Sequence, residues 1–173
     1  MTEGRPPVTE RSYGVVLVRP ARSGTSLKSQ DAQVLLVHQH LRPGPRLPAS
    51  QLDTSPSLPS TFIALPKGHR DPSDESDLAA ALRELREETG LGVARVLCDG
   101  SMITERYTNP RNGREKENTF WVALVEGDGE GVKVQEEEVE RAEWVGFEEA
   151  LKMATYEETR GVLRQAAVML DKA

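Results

Sequence analysis

Three glutamates, Glu84, Glu87 and Glu88, crowd the end of an apolar-periodic stretch that stops at Gly90. On a helix turning about 100° per residue, Glu84 and Glu88 are neighbours one turn apart and Glu87 lies beside them. The arrangement is unfavourable in two ways. Like charges at a spacing of four repel, and the C-terminal end of a helix dipole disfavours negative charge. A divalent cation reverses both penalties. Magnesium takes oxygen ligands, keeps several waters and is held by carboxylates together with substrate phosphates. It neutralises phosphate charge and acidifies or positions an attacking water. The alternative for such a run is a solvated acidic face.

The segment just before the helix favours the chemical reading. Gly68 can bring its backbone close to an ion or a phosphate, and its carbonyl is a hard oxygen ligand. Lys67 and Arg70 flank it with charges suited to phosphate oxygens, and His69 lies between them. Asp71, Pro72 and Ser73 supply a turn. Glu75 stands just upstream of the helix, where Arg83 is placed to bridge a loop carboxylate to the helix as a structural ion pair.

Read together, Gly68, Glu75 and Arg83-Glu84-Leu85-Arg86-Glu87-Glu88-Thr89-Gly90-Leu91 resemble the signature of the Nudix hydrolases. Glu75 falls at the family distance from Arg83. Counting forward from Gly68, six residues precede Glu75 where the family has five, so Asp74 occupies the counted place. Either acid is open to the structural role. The resemblance implies an α/β fold, an α/β/α sandwich around a mixed β-sheet. It also implies Mg2+ or Mn2+ held by Glu84, Glu87 and Glu88 with help from the Gly68 carbonyl. Its candidates for the catalytic base are Glu87 and, from a distant loop, Glu138, although Gln135–Glu138 also reads as a plain acidic run.

Two further stretches, Leu65-Pro66-Lys67-Gly68-His69 and Asn118–Val125 followed by Glu138 and Glu143–Gly146, resemble diadenosine tetraphosphate hydrolases within that family. On that resemblance the substrate is a dinucleoside polyphosphate, cleaved by water to ATP and AMP in the diadenosine case. Phe120 or Tyr107 would stack on adenine, while Arg106, Arg111, Arg114 and Lys116 would hold the remaining phosphates. Strand alternation sends one of Phe120 and Trp121 inward, so at most one of them meets ligand. Diphosphoinositol polyphosphate phosphohydrolases, a second Nudix group with a Pro-Lys-Gly loop, are the nearest alternative. A nucleoside triphosphatase is another, and a binding module that has lost hydrolysis is a third. Loss of a helix glutamate would mark that last case, and none is lost.

Positioning these groups requires a sheet with helices on both faces. Ser12–Arg19, Gln33–Gln39, Thr61–Leu65, Val93–Cys98, Ser101–Tyr107, Asn118–Val125 and Ala142–Val145 read as strands. Asp77–Thr89 is the clearest helix, with Leu78, Ala81, Leu82, Leu85 and Thr89 along one face. The tail from Phe147 reads as helical, with Val162, Leu163, Ala166, Ala167 and Leu170 as its core stripe. One domain spans residues 12–171 behind a flexible lead-in at 1–11. Within it, Arg42–Ser60 carries five prolines and four serines and reads as a mobile surface insertion.

The formal net charge of −6 argues against broad binding to nucleic acid or an anionic membrane. The expected partner is a small phosphorylated molecule, with no obligate protein partner implied. A single cysteine, Cys98, cannot form an internal disulfide, and no stretch has signal-peptide or membrane-spanning character. The default location is the cytoplasm, with access to the nucleus left open.

Overall fold

The computed structural model describes residues 4–41, 61–109 and 112–173. The insertion at 42–60 and Arg111 therefore lie outside the described residues. Eight strands form one mixed sheet: β1 (Val8–Pro20), β2 (Ala32–His40), β3 (Thr61–Ala64), β4 (Lys67–Gly68), β5 (Val93–Val96), β6 (Met102–Thr108), β7 (Glu115–Val125) and β8 (Val139–Gly146). Three helices accompany them, α1 (Asp77–Thr89), α2 (Phe147–Met153) and α3 (Glu157–Lys172). The main path runs β3-β2-β1-β7-β5, with β8 on β2, β6 on β7 and β4 on β1. The β1–β7 pair is parallel and the rest are antiparallel.

Alternation along the central strands feeds two cores. Tyr13, Val15 and Leu17 of β1 pack with Ala80, Ala81 and Leu85 of α1. Val16 and Val18 face the other way, onto Val162, Leu163 and Ala166 of α3. The expected α/β/α sandwich follows from this covering of both faces. It also corrects the alternation argument for β7, because Phe120 joins one core and Trp121 the other. In a sheet covered twice, neither side of a central strand faces water.

β1 starts at Val8, inside the segment expected to be a flexible lead-in. Its parallel ladder with β7 extends from Val8↔Glu115, and Arg5 donates to Glu115 at 2.7 Å. Backbone pairing needs no apolar side chains, so composition concealed this extension. α1 has the expected bounds. Ser76 caps its start by accepting from the Ala79 N–H, and Gly90 ends it at φ 72°. The helical tail is broken between α2 and α3 at Ala154–Tyr156. Among the described residues, no helix is long and apolar enough to cross a membrane.

Candidate active site

The two-residue strand β4 brings Lys67 and Gly68 against α1 by pairing with Gly14 and Tyr13 of β1. The Glu84 carboxyl lies directly over Gly68. A Cβ at position 68 would land on that carboxyl, overlapping its carbon and both oxygens. Only glycine permits this approach.

The three helix glutamates are not equivalent. Glu88 is 1% exposed; its Oε1 accepts from Gln39 Nε2 at 3.1 Å and its Oε2 from the Lys67 N–H at 3.2 Å. Burial pushes its carboxyl up to about 8, against the pull of Lys67, with Glu84 and Glu138 adding like-charge repulsion. Burial also raises Glu84, opposed by Arg83 and assisted by Glu87 and Glu138. Glu87 is half exposed and shares the Arg83 guanidinium at 3.1 Å.

Glu138 reaches this group from the loop before β8. The Lys133 N–H donates to the Thr89 carbonyl at 2.8 Å and the Gln135 N–H to the Glu88 carbonyl at 3.3 Å, fastening the loop to the end of α1. The His40 N–H donates to the Glu138 carbonyl at 2.9 Å. The loop thus delivers a fourth carboxylate to the field of Glu84 and Glu88.

Arg83 organises the approach to the helix. Its Nε and Nη2 donate to Asp74 at 3.0 and 2.9 Å, its Nη2 also reaches the His69 carbonyl at 2.8 Å, and its Nη1 is shared by Glu84 and Glu87 at 3.1 Å. The structural acid is therefore Asp74, whose carboxyl is held below its ordinary range by Arg83, while Glu75 is exposed. Arg70 donates to Asp77 at 2.7 Å and to the Asp74 carbonyl at 3.2 Å, which makes it a brace of the turn in this structure. His69 Nδ1–H donates to the Arg11 carbonyl at 3.0 Å.

The basic groups expected to hold phosphate are placed differently. Arg106 is paired with Glu115 at 2.9 Å, and Arg114 lies 3.7 Å from Glu10. Acids on β7 and β1 engage both side chains in this structure. Phe120, expected to stack on a base, is 2% exposed and forms part of the core. Tyr107 is half-buried beside Asn118, with its hydroxyl raised by burial. The sequence reading passed over Glu105, whose carboxyl burial raises while Lys67 and Lys116 draw it down. Its signal was an acid on the same side of β6 as buried Ile103.

Whether a divalent cation fits can be judged from the donor set. Glu84, Glu88 and Glu138 repel one another, and Glu84 rests against a glycine whose carbonyl is a further oxygen donor. Hard oxygen donors held together against their own repulsion suit such an ion. Among the described residues no three ligands form a closed cage. Glu87 is engaged by Arg83.

The NUDIX domain model matches residues 17–166. The mouse asymmetrical bis(5'-nucleosyl)-tetraphosphatase is 35% identical over 104 residues, 58% of this chain and 66% of the mouse protein. The Caenorhabditis elegans protein of that name is 28% identical over 118 residues, 66% of this chain and 80% of its own length. Just under two thirds of the mouse and rat relatives' length is matched. A binary complex of the C. elegans Ap4A hydrolase superposes with a TM-score of 0.70 at 24% identity, covering 95% of this chain and 100% of that one. The NUDIX domain of Shewanella oneidensis NrtR, solved with ADP ribose, gives 0.66 at 18% identity over 95% and 90%. With the family model spanning nearly the whole sheet and both helical layers, the chain belongs to the Nudix hydrolase family.

Proposed function

We propose that the protein hydrolyses a phosphoanhydride bond of a dinucleoside polyphosphate, releasing ATP and AMP when the substrate is diadenosine tetraphosphate. The observation that carries this reading is the gathering of Glu84, Glu88 and Glu138 around the Gly68 approach, with Lys67 beside them. The names of the mouse and C. elegans relatives support the substrate class.

A bound Mg2+ or Mn2+ would neutralise phosphate charge and acidify water, held by Glu84, Glu87, Glu88 and the Gly68 carbonyl. The chain's own residues supply the rest. Lys67 presents a cation between the carboxylates and Glu105, suited to the polyphosphate. Arg83 and Asp74 hold the Gly68 loop against α1, fixing where the anhydride lies. Water oxygen bonds to phosphorus, the bridging P–O bond breaks, and the departing nucleotide keeps the bridging oxygen. Glu87 and Glu138 are the candidates to accept the water proton. We place the protein in a reducing compartment such as the cytoplasm, consistent with one cysteine whose thiol burial pushes up.

A diphosphoinositol substrate would need a dense basic pocket, and the pairing of Arg106 and Arg114 with Glu115 and Glu10 disfavours it. Turnover of diadenosine tetraphosphate by Glu87→Gln and Glu138→Gln at saturating magnesium tests the assignment. Replacement of the true base lowers kcat about 100-fold or more while the fold stays intact. Near-normal kcat in both variants would remove both residues from the chemistry.

A further inference from the structure

β2 carries a glutamine in a row of core positions. Alternation sends Leu35, Val37 and Gln39 to one face of the strand, and Leu35 packs into the core that includes Ala80, Ala81 and Leu85 of α1. Gln39 is 9% exposed, and a buried amide is costly unless it is hydrogen-bonded. Its Nε2 donates to Glu88 Oε1 at 3.1 Å, while the Lys67 N–H donates to Glu88 Oε2 at 3.2 Å. Each oxygen of this carboxylate therefore has a donor, one from β2 and one from β4. One turn earlier on α1, Glu84 lies over Gly68, the neighbour of Lys67.

The backbone at Gln39 is held from both sides, by pairing with Phe62 of β3 and Val139 of β8. The β2–β8 ladder slips here from His38↔Arg141 to Gln39↔Val139, which leaves Glu140 as the extra residue of a bulge. Past the bulge, the His40 N–H donates to the Glu138 carbonyl at 2.9 Å, and the Gln135 N–H reaches the Glu88 carbonyl at 3.3 Å. Gln39 thus stands where the loop of Glu138 meets the end of α1.

The chemistry of the donor matters as well. Arg83 gives Glu87 a full positive charge, which competes with a cation for the same oxygens. A neutral amide orients a carboxylate and leaves its charge to the ion. A carboxylate has about four lone-pair sites, so one donor on each oxygen leaves room for a metal.

We propose that Gln39 is a positioning residue, whose amide fixes the Glu88 carboxylate in the orientation that takes the divalent cation. The inference rests on the metal-dependent reading given above. Without the amide, Glu88 keeps only the Lys67 N–H, and its carboxylate turns more freely about the side chain.

The test is Mn2+ binding to the full chain, read from the electron paramagnetic resonance of the free ion, for wild type and Gln39→Met. Melting of both proteins without metal is followed alongside. Methionine matches the length of glutamine and has no donor. Gln39→Met binds Mn2+ about 10–100-fold more weakly, the usual cost of losing a group that orients a ligand. A merely structural glutamine would lower the melting temperature and leave the Mn2+ affinity unchanged, and that result overturns the assignment. Wild type supplies an independent check should the variant misfold. Followed by nuclear magnetic resonance, the Gln39 side-chain amide exchanges slowly with solvent and shifts when Mg2+ is added. An amide that exchanges freely or ignores Mg2+ also overturns the assignment. If wild type binds no Mn2+, the metal-dependent reading falls together with this one. If wild type binds and Gln39→Met binds equally well, this one falls alone.

Discussion

The Glu84 carboxyl occupies the space where a side chain at position 68 would begin. This contact between Gly68 and Glu84 joins the loop that presents Lys67 to the helix that carries the acids. A methyl group at position 68 must push the helix carboxylate away. We predict that Gly68→Ala weakens metal affinity about 10–100-fold, the usual cost of disturbing how a ligand is oriented. The magnesium dependence of turnover measures this, and an unchanged midpoint would show that the close approach has no part in holding metal.

Asp74 and Glu75 separate cleanly. Asp74→Asn loses the charge that the Arg83 fork binds through two nitrogens. The variant should melt lower and turn over more slowly, because Arg83 also holds the His69 carbonyl. Glu75→Gln, at an exposed position, should leave stability and turnover within about twofold of wild type. Thermal melts and steady-state assays of the two variants make the check; the opposite ranking would return the structural role to Glu75.

Glu88 predicts a pH dependence of stability in the metal-free protein. Its folded carboxyl is raised to about 8 by burial, from an ordinary 4.5. Between those values the folded state holds a proton that the unfolded chain has released, so Glu88 makes stability fall as pH rises. Glu88→Gln removes that dependence. Its stability relative to wild type should therefore grow as pH is raised through this window, and magnesium should rescue wild type alone. Parallel pH–melting curves for the two proteins would refute it.

Phe120 should behave as a core residue. Its Cε1 is among the atoms that a Cβ on Gly14 would strike, a measure of how tightly the ring is held. Phe120→Ala should cost about 3–5 kcal/mol in stability by chemical denaturation. Phe120→Leu should lose less and keep its KM. A raised KM with unchanged stability would restore the stacking role.

Legibility in the sequence followed the range of the interactions. α1 could be read to its ends because its period and its Gly90 stop are local. β4 could not, since two residues carry no period and exist as a strand only through Tyr13 and Gly14. The choice between Asp74 and Glu75 depended on the path of the loop toward Arg83. On a helical wheel the three glutamates look alike; Glu88 is set apart by Gln39 on β2 and the Lys67 backbone. The pairing of Glu105 with Asn118 needed the β6–β7 register, and the basic run from Arg106 to Lys116 gave no sign of its acidic partners Glu115 and Glu10.

The central claim is metal-dependent cleavage of a dinucleoside polyphosphate. It is tested most directly by chromatography of products after incubation with diadenosine tetraphosphate, with and without magnesium, beside a diphosphoinositol phosphate. The account predicts ATP and AMP in equal amounts, only with metal, and an untouched inositol compound. An intact dinucleotide, with phosphate released from the inositol compound, would contradict it.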